Sequence, residues 1–458
     1  MLFNDKTPII AIATAPGRGG IGVIRLSFEA DLADPILAAL FPQRSIEPRR
    51  VQLLPFLDEN NALLDHAVVL YFSAPASYTG ESVLEIQAHG GPVLLKLILR
   101  AALTKLAFCG LRIAEPGEFT KRAFLNGRMD LTQAEAVSGL IDAASEAAAH
   151  AAARSLSGDF SREVHEAGDL LDEARALSEA SLDFPEEDLE DLKEKQIFTR
   201  AREAQIKLEG LLANARRGVV LADGITVALV GAPNVGKSSL LNALAGDEVA
   251  IVTEIAGTTR DRIEHWTAFD GIPLRIVDTA GMRETNDIVE QKGIERTLKA
   301  ISEADIVLHL VDASGRIPDD EALLTRVREY ARPGTPLLIV ANKIDSISLE
   351  RRNESSIVPI SAKTHEGLEA LKARVLEYVD MTGGTEGVFL ARERHLECLR
   401  MASAHLSKAL EMSTSPFCMM EIFAEELRLA GRALGELLGE TDAEDLLGII
   451  FSRFCIGK

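Results

Sequence analysis

Positive charge is in short supply in this chain. Its 49 lysines and arginines face 70 aspartates and glutamates, a net charge of −21 over 458 residues. That deficit argues against non-specific attachment to nucleic acid or a membrane surface, although a local basic surface can coexist with an acidic total. Much of the excess lies in Pro185-Glu-Glu-Asp-Leu-Glu-Asp-Leu-Lys-Glu-Lys195, which reads as a solvated helix face. Cysteine is also scarce. The four present (Cys109, Cys398, Cys418 and Cys455) form no C-x-x-C pair, which fits a reducing compartment and offers no zinc site. No apolar run approaches the roughly 20 residues needed to span a membrane. The opening Met1-Leu-Phe-Asn-Asp-Lys6 lacks the pattern of a secretory signal. The expectation is a cytoplasmic protein with no membrane anchor. What is present is 47% apolar sequence, ample for hydrophobic cores, and length for about three domains.

The segment Gly231-Ala-Pro-Asn-Val-Gly236-Lys237-Ser238 matches the phosphate-loop pattern G-x-x-x-x-G-K-[ST]. The run Ile225-Thr-Val-Ala-Leu-Val230 before it reads as a buried strand, and Ser239-Leu-Leu-Asn-Ala-Leu-Ala245 after it as a helix. Glycines there let successive backbone N–H groups curl around phosphate oxygens, and the helix N-terminus favours negative charge. Asn234, Val235, Gly236 and Ser239 would line the phosphates. Lys237 would reach the β- and γ-phosphates, and the Ser238 hydroxyl would sit on Mg2+.

Three later segments follow in order, each at the end of an apolar run. Pro273-Leu-Arg-Ile-Val-Asp278-Thr279-Ala280-Gly281 ends in a carboxylate that can hold a water on Mg2+ and a glycine N–H that can meet the γ-phosphate. Pro336-Leu-Leu-Ile-Val-Ala-Asn342-Lys343-Ile-Asp345 carries N-K-x-D. The Asp345 carboxylate can accept from guanine N1–H and the 2-amino group, a donor pair that adenine lacks. Ser361-Ala362-Lys363 would close over the base. Between the first two segments, Ala256-Gly257-Thr258-Thr259-Arg260-Asp261 supplies threonines able to complete Mg2+ coordination when a γ-phosphate is bound. The set points to GTP.

One part of the usual apparatus is missing. Where many small GTPases carry a water-orienting glutamine after Asp-x-x-Gly, this chain has Met282. Asn234 could hold a monovalent cation in place of an arginine finger. Glu290 could hold the water, although on spacing alone a solvated helix carboxylate is the commoner reading.

Along the chain, residues 1–120 mix strands and short helices. Strands are expected at Thr7–Thr14, Ile21–Ser27, Ala67–Phe72 and Ser82–Gln87, and a helix over Pro92–Leu106. From 121 to 218 the pattern is helical, with an alanine-rich stretch at Leu131–Leu156. A stripe of Phe198, Ala201, Ala204, Leu208, Leu211 and Ala215 needs a packing partner. Residues 219–382 form the α/β nucleotide domain. Residues 383–458 are helical again, with Leu427, Leu434, Leu437, Leu438, Leu446 and Leu447 as anchors. The two helical parts are expected to form one discontinuous bundle that receives a Ras-like P-loop GTPase domain as an insertion.

Outside the nucleotide motifs, three segments and the end of the chain are distinctive: Pro16-Gly-Arg-Gly-Gly-Ile-Gly-Val-Ile-Arg25, Ser77-Tyr-Thr-Gly-Glu-Ser-Val-Leu-Glu85 with His89-Gly-Gly-Pro92, Pro116-Gly-Glu-Phe-Thr-Lys-Arg-Ala-Phe-Leu-Asn126, and Phe454-Cys455-Ile-Gly-Lys458. With the GTPase motifs they resemble the MnmE (TrmE) family of tRNA modification GTPases over essentially the whole chain. The resemblance implies a homodimer formed through an N-terminal α+β domain similar to folate-binding aminomethyltransferase domains. It implies a flavoprotein partner, MnmG (GidA), carrying FAD and joining in a heterotetramer. Together such proteins place an aminomethyl or carboxymethylaminomethyl group on carbon 5 of wobble uridine in tRNA, with the one-carbon unit from 5,10-methylenetetrahydrofolate. It implies folate contacts at Arg25, Glu85, Arg128 and Lys458, read with 5-formyl-tetrahydrofolate as analogue. Arg128 stands where lysine is expected, keeping charge but not geometry.

By the same resemblance, Asn234, Thr253, Ile255 (backbone) and Thr258 would bind K+. Ser238 and Thr259 would bind Mg2+, and Thr253, Glu254, Ile255, Ala256 and Gly257 would line the GTP site. Glu290 would orient the water. Cys455, by itself more often a small buried hydrophobe, becomes a modification residue near the folate. The other reading of the GTPase motifs is a GTP-dependent switch or assembly factor, for example one acting on ribosomes, without one-carbon chemistry.

Overall fold

The structure, a computed structural model, describes residues 6–183, 190–245, 264–278, 298–314, 321–346, 357–379, 381, 384–413, 419–440, 444–452 and 454–457. The chain divides into two compact units, Met1–Ser138 with Leu438–Lys458, and Gly139–Leu437.

The first unit is α+β. Its strands are β1 (Ile9–Ile12), β2 (Ile21–Phe28), β3 (Gln52–Leu57), β4 (Leu63–Phe72), β5 (Ser82–His89) and β6 (Arg112–Ile113). They form one sheet in the order β3-β4-β5-β2-β1-β6, antiparallel except at β1–β6. The helices are α1 (Ala33–Leu40), α2 (Pro92–Lys105), α3 (Glu118–Leu125) and α4 (Leu131–Asp142). Side chains alternate across the pleat. Ile24, Leu26, Leu84 and Ile86 face Ile36 of α1 and Ile98 of α2 in a closed core, while Arg25 and Glu85 fall on the opposite, half-buried face. The sequence did not announce β3, because Pro55 interrupts it. At the sheet edge a proline removes no ladder bond, so the strand survives.

The end of the chain returns to this unit. Helix Glu444–Ser452 packs Leu447, Ile450 and Phe451, followed by Phe454, against Leu131 and Ala134 of α4. Beyond it, Ile456 bridges Pro116 antiparallel, and the Gly117 N–H donates to the Cys455 carbonyl at 3.3 Å. The anchors Leu438 and Leu447 therefore belong to this unit.

The second unit begins with helices. The alanine-rich stretch forms two: α4 ends at Asp142, and α5 (Glu146–Leu156) starts afresh because the Ser145 hydroxyl accepts the Ala148 N–H at 3.1 Å and caps it. The long pair α6 (Asp159–Asp183) and α7 (Glu190–Asp223) follow. The α7 stripe is buried at Ala201, Ala204, Leu208, Leu211 and Ala215. Helix α7 runs past 218, where the helical pattern was expected to give way to the nucleotide domain, to Asp223. A Cβ on Gly218 would lie 2.2 Å from the Phe389 carbonyl oxygen, so this glycine admits the returning strand of chain rather than ending the helix. One residue, Gly224, joins α7 to the nucleotide sheet. Of the acidic run at 185–195, residues 190–195 form the start of α7 and the others lie outside the described residues.

That sheet comprises β7 (Ile225–Val230), β8 (Glu264–Phe269), β9 (Ile272–Asp278), β10 (Ile306–Asp312), β11 (Leu337–Asn342) and β12 (Ile357–Pro359), in the order β12-β11-β10-β7-β9-β8. Only β8 runs antiparallel to its neighbour. β7 is buried along its whole length, as a central parallel strand covered on both faces must be. The helices of this domain include α8 (Lys237–Ala245), α9 (Glu321–Tyr330) and α10 (Leu368–Tyr378). Helices α11 (Glu393–Ser413) and α12 (Met420–Leu438) complete the unit, with α11 packed along α7. Phe423 of α12 meets Phe198 of α7 edge-on at 5.4 Å.

Candidate functional site

The phosphate loop leaves the carboxyl end of β7 between β9 and β10 and enters α8 at Lys237. In parallel α/β sheets this is where ligands bind, at the strand ends where connections part. Asn342, at the end of β11, joins two of the predicted segments. It is only 2% exposed. Its Nδ2 donates to the Val235 carbonyl at 2.9 Å, and its Oδ1 accepts the Ala362 N–H at 3.0 Å. The asparagine of N-K-x-D therefore ties the phosphate loop to the Ser361-Ala362-Lys363 loop. Ser361 Oγ donates to Asp345 Oδ1 at 2.8 Å, holding an exposed carboxylate in one orientation where a guanine edge can reach it.

Lys343 adopts a left-handed backbone, φ +68, and so does Asn234, φ +63. Its Nζ donates to the Asn234 carbonyl at 2.8 Å and to Asp312 Oδ2 at 2.6 Å. Burial alone would raise the Asp312 carboxyl. The hydrogen bonds from Lys343 and Ser314 outweigh it and hold the group below its ordinary value. Sequence reasoning missed Asp312. The signal was present: it closes an apolar strand as Asp278 closes β9. Lys237 Nζ donates to the Gly231 and Ala232 carbonyls at 2.8 and 3.2 Å, inside the loop it was expected to serve. Ser238 and Asn234 are exposed at the same strand ends. Thr253, Glu254, Ile255, Ala256, Gly257, Thr258, Thr259, Thr279, Ala280, Gly281, Glu290 and Lys458 lie outside the described residues, as does the Asp278 side chain.

A second cluster sits on the half-buried sheet face of the first unit. Arg25 and Glu85 are cross-strand partners on β2 and β5, and Arg25 Nε donates to Glu85 Oε1 at 2.9 Å. Its guanidinium carbon lies 5.6 Å from the Tyr78 ring centre and 5.9 Å from that of Phe119. Both aromatic neighbours escaped the sequence reading, although each lies within a segment singled out there. Phe119 is two residues from Gly117, which holds the Cys455 carbonyl. Arg128 is exposed and lies beyond Gly80, on whose Cβ position its Cγ would encroach at 3.3 Å. Among the described residues no group of three metal-ligating side chains occurs.

The G-x-x-x-x-G-K-S loop, N-K-x-D and Ser361-Ala362-Lys363, gathered at the carboxyl ends of the parallel strands of one sheet, define a P-loop GTPase. Residues 131–455 match the MnmE helical domain, and residues 8–128 match the N-terminus of the GTP-binding protein TrmE. A tRNA modification GTPase MnmE from Ralstonia nicotianae is 50% identical over 463 residues, covering 98% of this chain and 96% of the relative. One from Chromobacterium violaceum is 49% identical over 462 residues and covers both chains fully. A solved Aquifex aeolicus Era structure bound to GDP and AlF4- is 29% identical over 42% of this chain and 68% of that one, with a TM-score of 0.28. The chain belongs to the MnmE family of tRNA modification GTPases. It is a GTP hydrolase that acts in tRNA modification.

Proposed function

We propose that this chain hydrolyses GTP to drive the addition of an aminomethyl or carboxymethylaminomethyl group to carbon 5 of wobble uridine in tRNA. It would work as a homodimer with an MnmG (GidA)-like flavoprotein that carries FAD, in the cytoplasm. The observation that carries the one-carbon half is the Arg25–Glu85 pair, held on a half-buried sheet face with the Arg25 guanidinium against the Tyr78 and Phe119 rings, in the unit that also receives the Cys455 segment. The donor set fits a folate. Glu85 can accept from pterin N–H groups, and the Arg25 guanidinium can donate to carbonyl or carboxylate oxygens. Bound there, methylenetetrahydrofolate would supply the one-carbon unit. Tyr78, backed by the buried Phe119, would shield one side of it from water, and Arg128 and Lys458 would add positive charge. Exposed Leu53 on the edge strand β3, with exposed Val51 just before that strand, gives this unit an apolar rim suited to pairing with a second copy.

In the nucleotide site, Ser238 and Thr259 would hold Mg2+, and Glu290 would orient the attacking water. Asn234, with Thr253, Ile255 and Thr258, would hold K+. Asn234 fits that role on its left-handed backbone and exposed amide. The charge that K+ supplies would stand where an arginine finger stands elsewhere. Turnover is therefore expected to be much faster in potassium than in sodium chloride, and equal rates would remove Asn234 from this role.

The folate reading is tested by 5-formyl-tetrahydrofolate titration of wild type and Arg25→Ala, with GTP turnover measured alongside. Saturable binding by wild type, weakened by at least about thirtyfold in Arg25→Ala through loss of a charge-assisted contact, is the expected result, with turnover unchanged. No saturable binding to wild type would favour the GTP-dependent switch without one-carbon chemistry.

A further inference from the structure

We propose that Asp312, which lies outside every nucleotide-reading motif of the sequence, is a positioning residue for the phosphate loop, acting through Lys343 on the Asn234–Val235 peptide. The inference rests on the reading that loop 231–238 holds the phosphates of the nucleotide.

Two adjacent carbonyls of that loop are held from the same side by two adjacent side chains at the end of β11. Lys343 takes the Asn234 carbonyl at 2.8 Å, and Asn342 takes the Val235 carbonyl at 2.9 Å. A trans peptide is planar, with its N–H opposite its C=O. Each carbonyl held toward β11 therefore turns the next N–H, that of Val235 and then of Gly236, away from β11 and into the bend of the loop. Consecutive N–H groups turned into one concavity are what an anion needs. The asparagine is rigid because it is buried and bonded at both ends. A lysine is a flexible point charge that needs a partner to hold it.

Asp312 is that partner, at 2.6 Å from Lys343 Nζ. It is itself braced. Its other oxygen accepts the Ser314 N–H at 2.9 Å and the Ser314 hydroxyl at 2.6 Å, and the Ala313 N–H donates to the Asn342 carbonyl at 2.8 Å. The line Ser314, Asp312, Lys343, Asn234 thus runs from the end of β10 to the middle of the phosphate loop.

The test measures dissociation of a fluorescent GDP from the full-length protein, comparing wild type, Asp312→Asn, Lys343→Ala and the double variant, with preference for GDP over inosine diphosphate measured by competition. Asp312→Asn should speed dissociation about tenfold, the scale of one charged hydrogen bond. In the Lys343→Ala background the same change should add less than about twofold, because the relay is already cut. Preference for GDP over inosine diphosphate should not move in Asp312→Asn, because Asp345 is untouched. Ser314→Ala, at an exposed turn, guards against a folding defect and should speed dissociation about threefold. Unchanged dissociation in Asp312→Asn, full effects adding in the double variant, or a shifted base preference would each overturn the relay. Failure of wild type to bind GDP would instead overturn the reading of the loop.

Discussion

Gly236→Ala should lower affinity for GDP and GTP by at least about a hundredfold and abolish measurable turnover. Gly236 has φ +100, which an alanine adopts only with strain. The space is also taken: a Cβ there would lie 2.2 Å from Asn342 Nδ2. Asn342 cannot move aside cheaply, because it is buried and bonded both to Val235 and to Ala362. Displacing it forfeits two buried hydrogen bonds, about 2–3 kcal/mol together, which is about two decades in affinity before the strain is added. Calorimetric titration with GDP checks this. Affinity within threefold of wild type would mean that the loop backbone does not grip the nucleotide as described.

The second large effect concerns the unit that carries Arg25. Glu118, 7% exposed, is held by Arg112 at 2.6 Å and Arg122 at 3.0 Å. Arg122 also reaches Glu81 at 3.0 Å and the Thr7 carbonyl at 2.7 Å, and Glu81 takes the Ser27 hydroxyl. The network pins α3 to β2 and to the turn before β5. Removing one partner leaves buried charge unmatched, so Glu118→Gln should destabilise this unit by about 3 kcal/mol. It should also flatten the acid limb of stability. Burial alone would raise the Glu118 carboxyl, but hydrogen bonds from Arg112, the Glu115 N–H and Arg122 hold it below its ordinary value of 4.5. A depressed carboxyl adds stability that is complete above that value and is lost as pH falls toward the folded value. Urea denaturation of wild type from pH 7 downward should show that loss below about pH 4.5, and Glu118→Gln should show less of it. A variant as stable as wild type would reduce the network to surface ion pairing.

The sequence made the nucleotide domain legible because its chemistry is local. The phosphate loop, Asn342-Lys343-Ile-Asp345 and Ser361-Ala362-Lys363 are short runs whose spacing carries their meaning, and each stands at a strand end. Asp312 was hidden because its partner lies 31 residues away in the chain, and only the parallel pairing of β10 and β11 brings them together. Tyr78 and Phe119 were hidden likewise, since ring contacts with Arg25 depend on how β2, the turn before β5 and α3 converge. Strand β3 was obscured by Pro55, whose cost depends on edge position rather than on local sequence. Gly218 shows the converse. A glycine near the end of a helical pattern reads locally as a stop, yet here it answers to close approach of residues 389–391 from the far side of the nucleotide domain.

A GTP-hydrolysing domain and the Arg25–Glu85 cluster lie in one chain of a tRNA-modifying family, and their joint role in wobble-uridine modification is the central proposal. Mass analysis of wobble nucleosides from cells lacking the chain, complemented with wild type or with Arg25→Ala, tests that role most directly. Loss of the carbon-5 substituent on wobble uridine, restored by wild type but not by Arg25→Ala, is the result the account predicts. Full restoration by Arg25→Ala, or wobble uridine unchanged in the deletion, would contradict it.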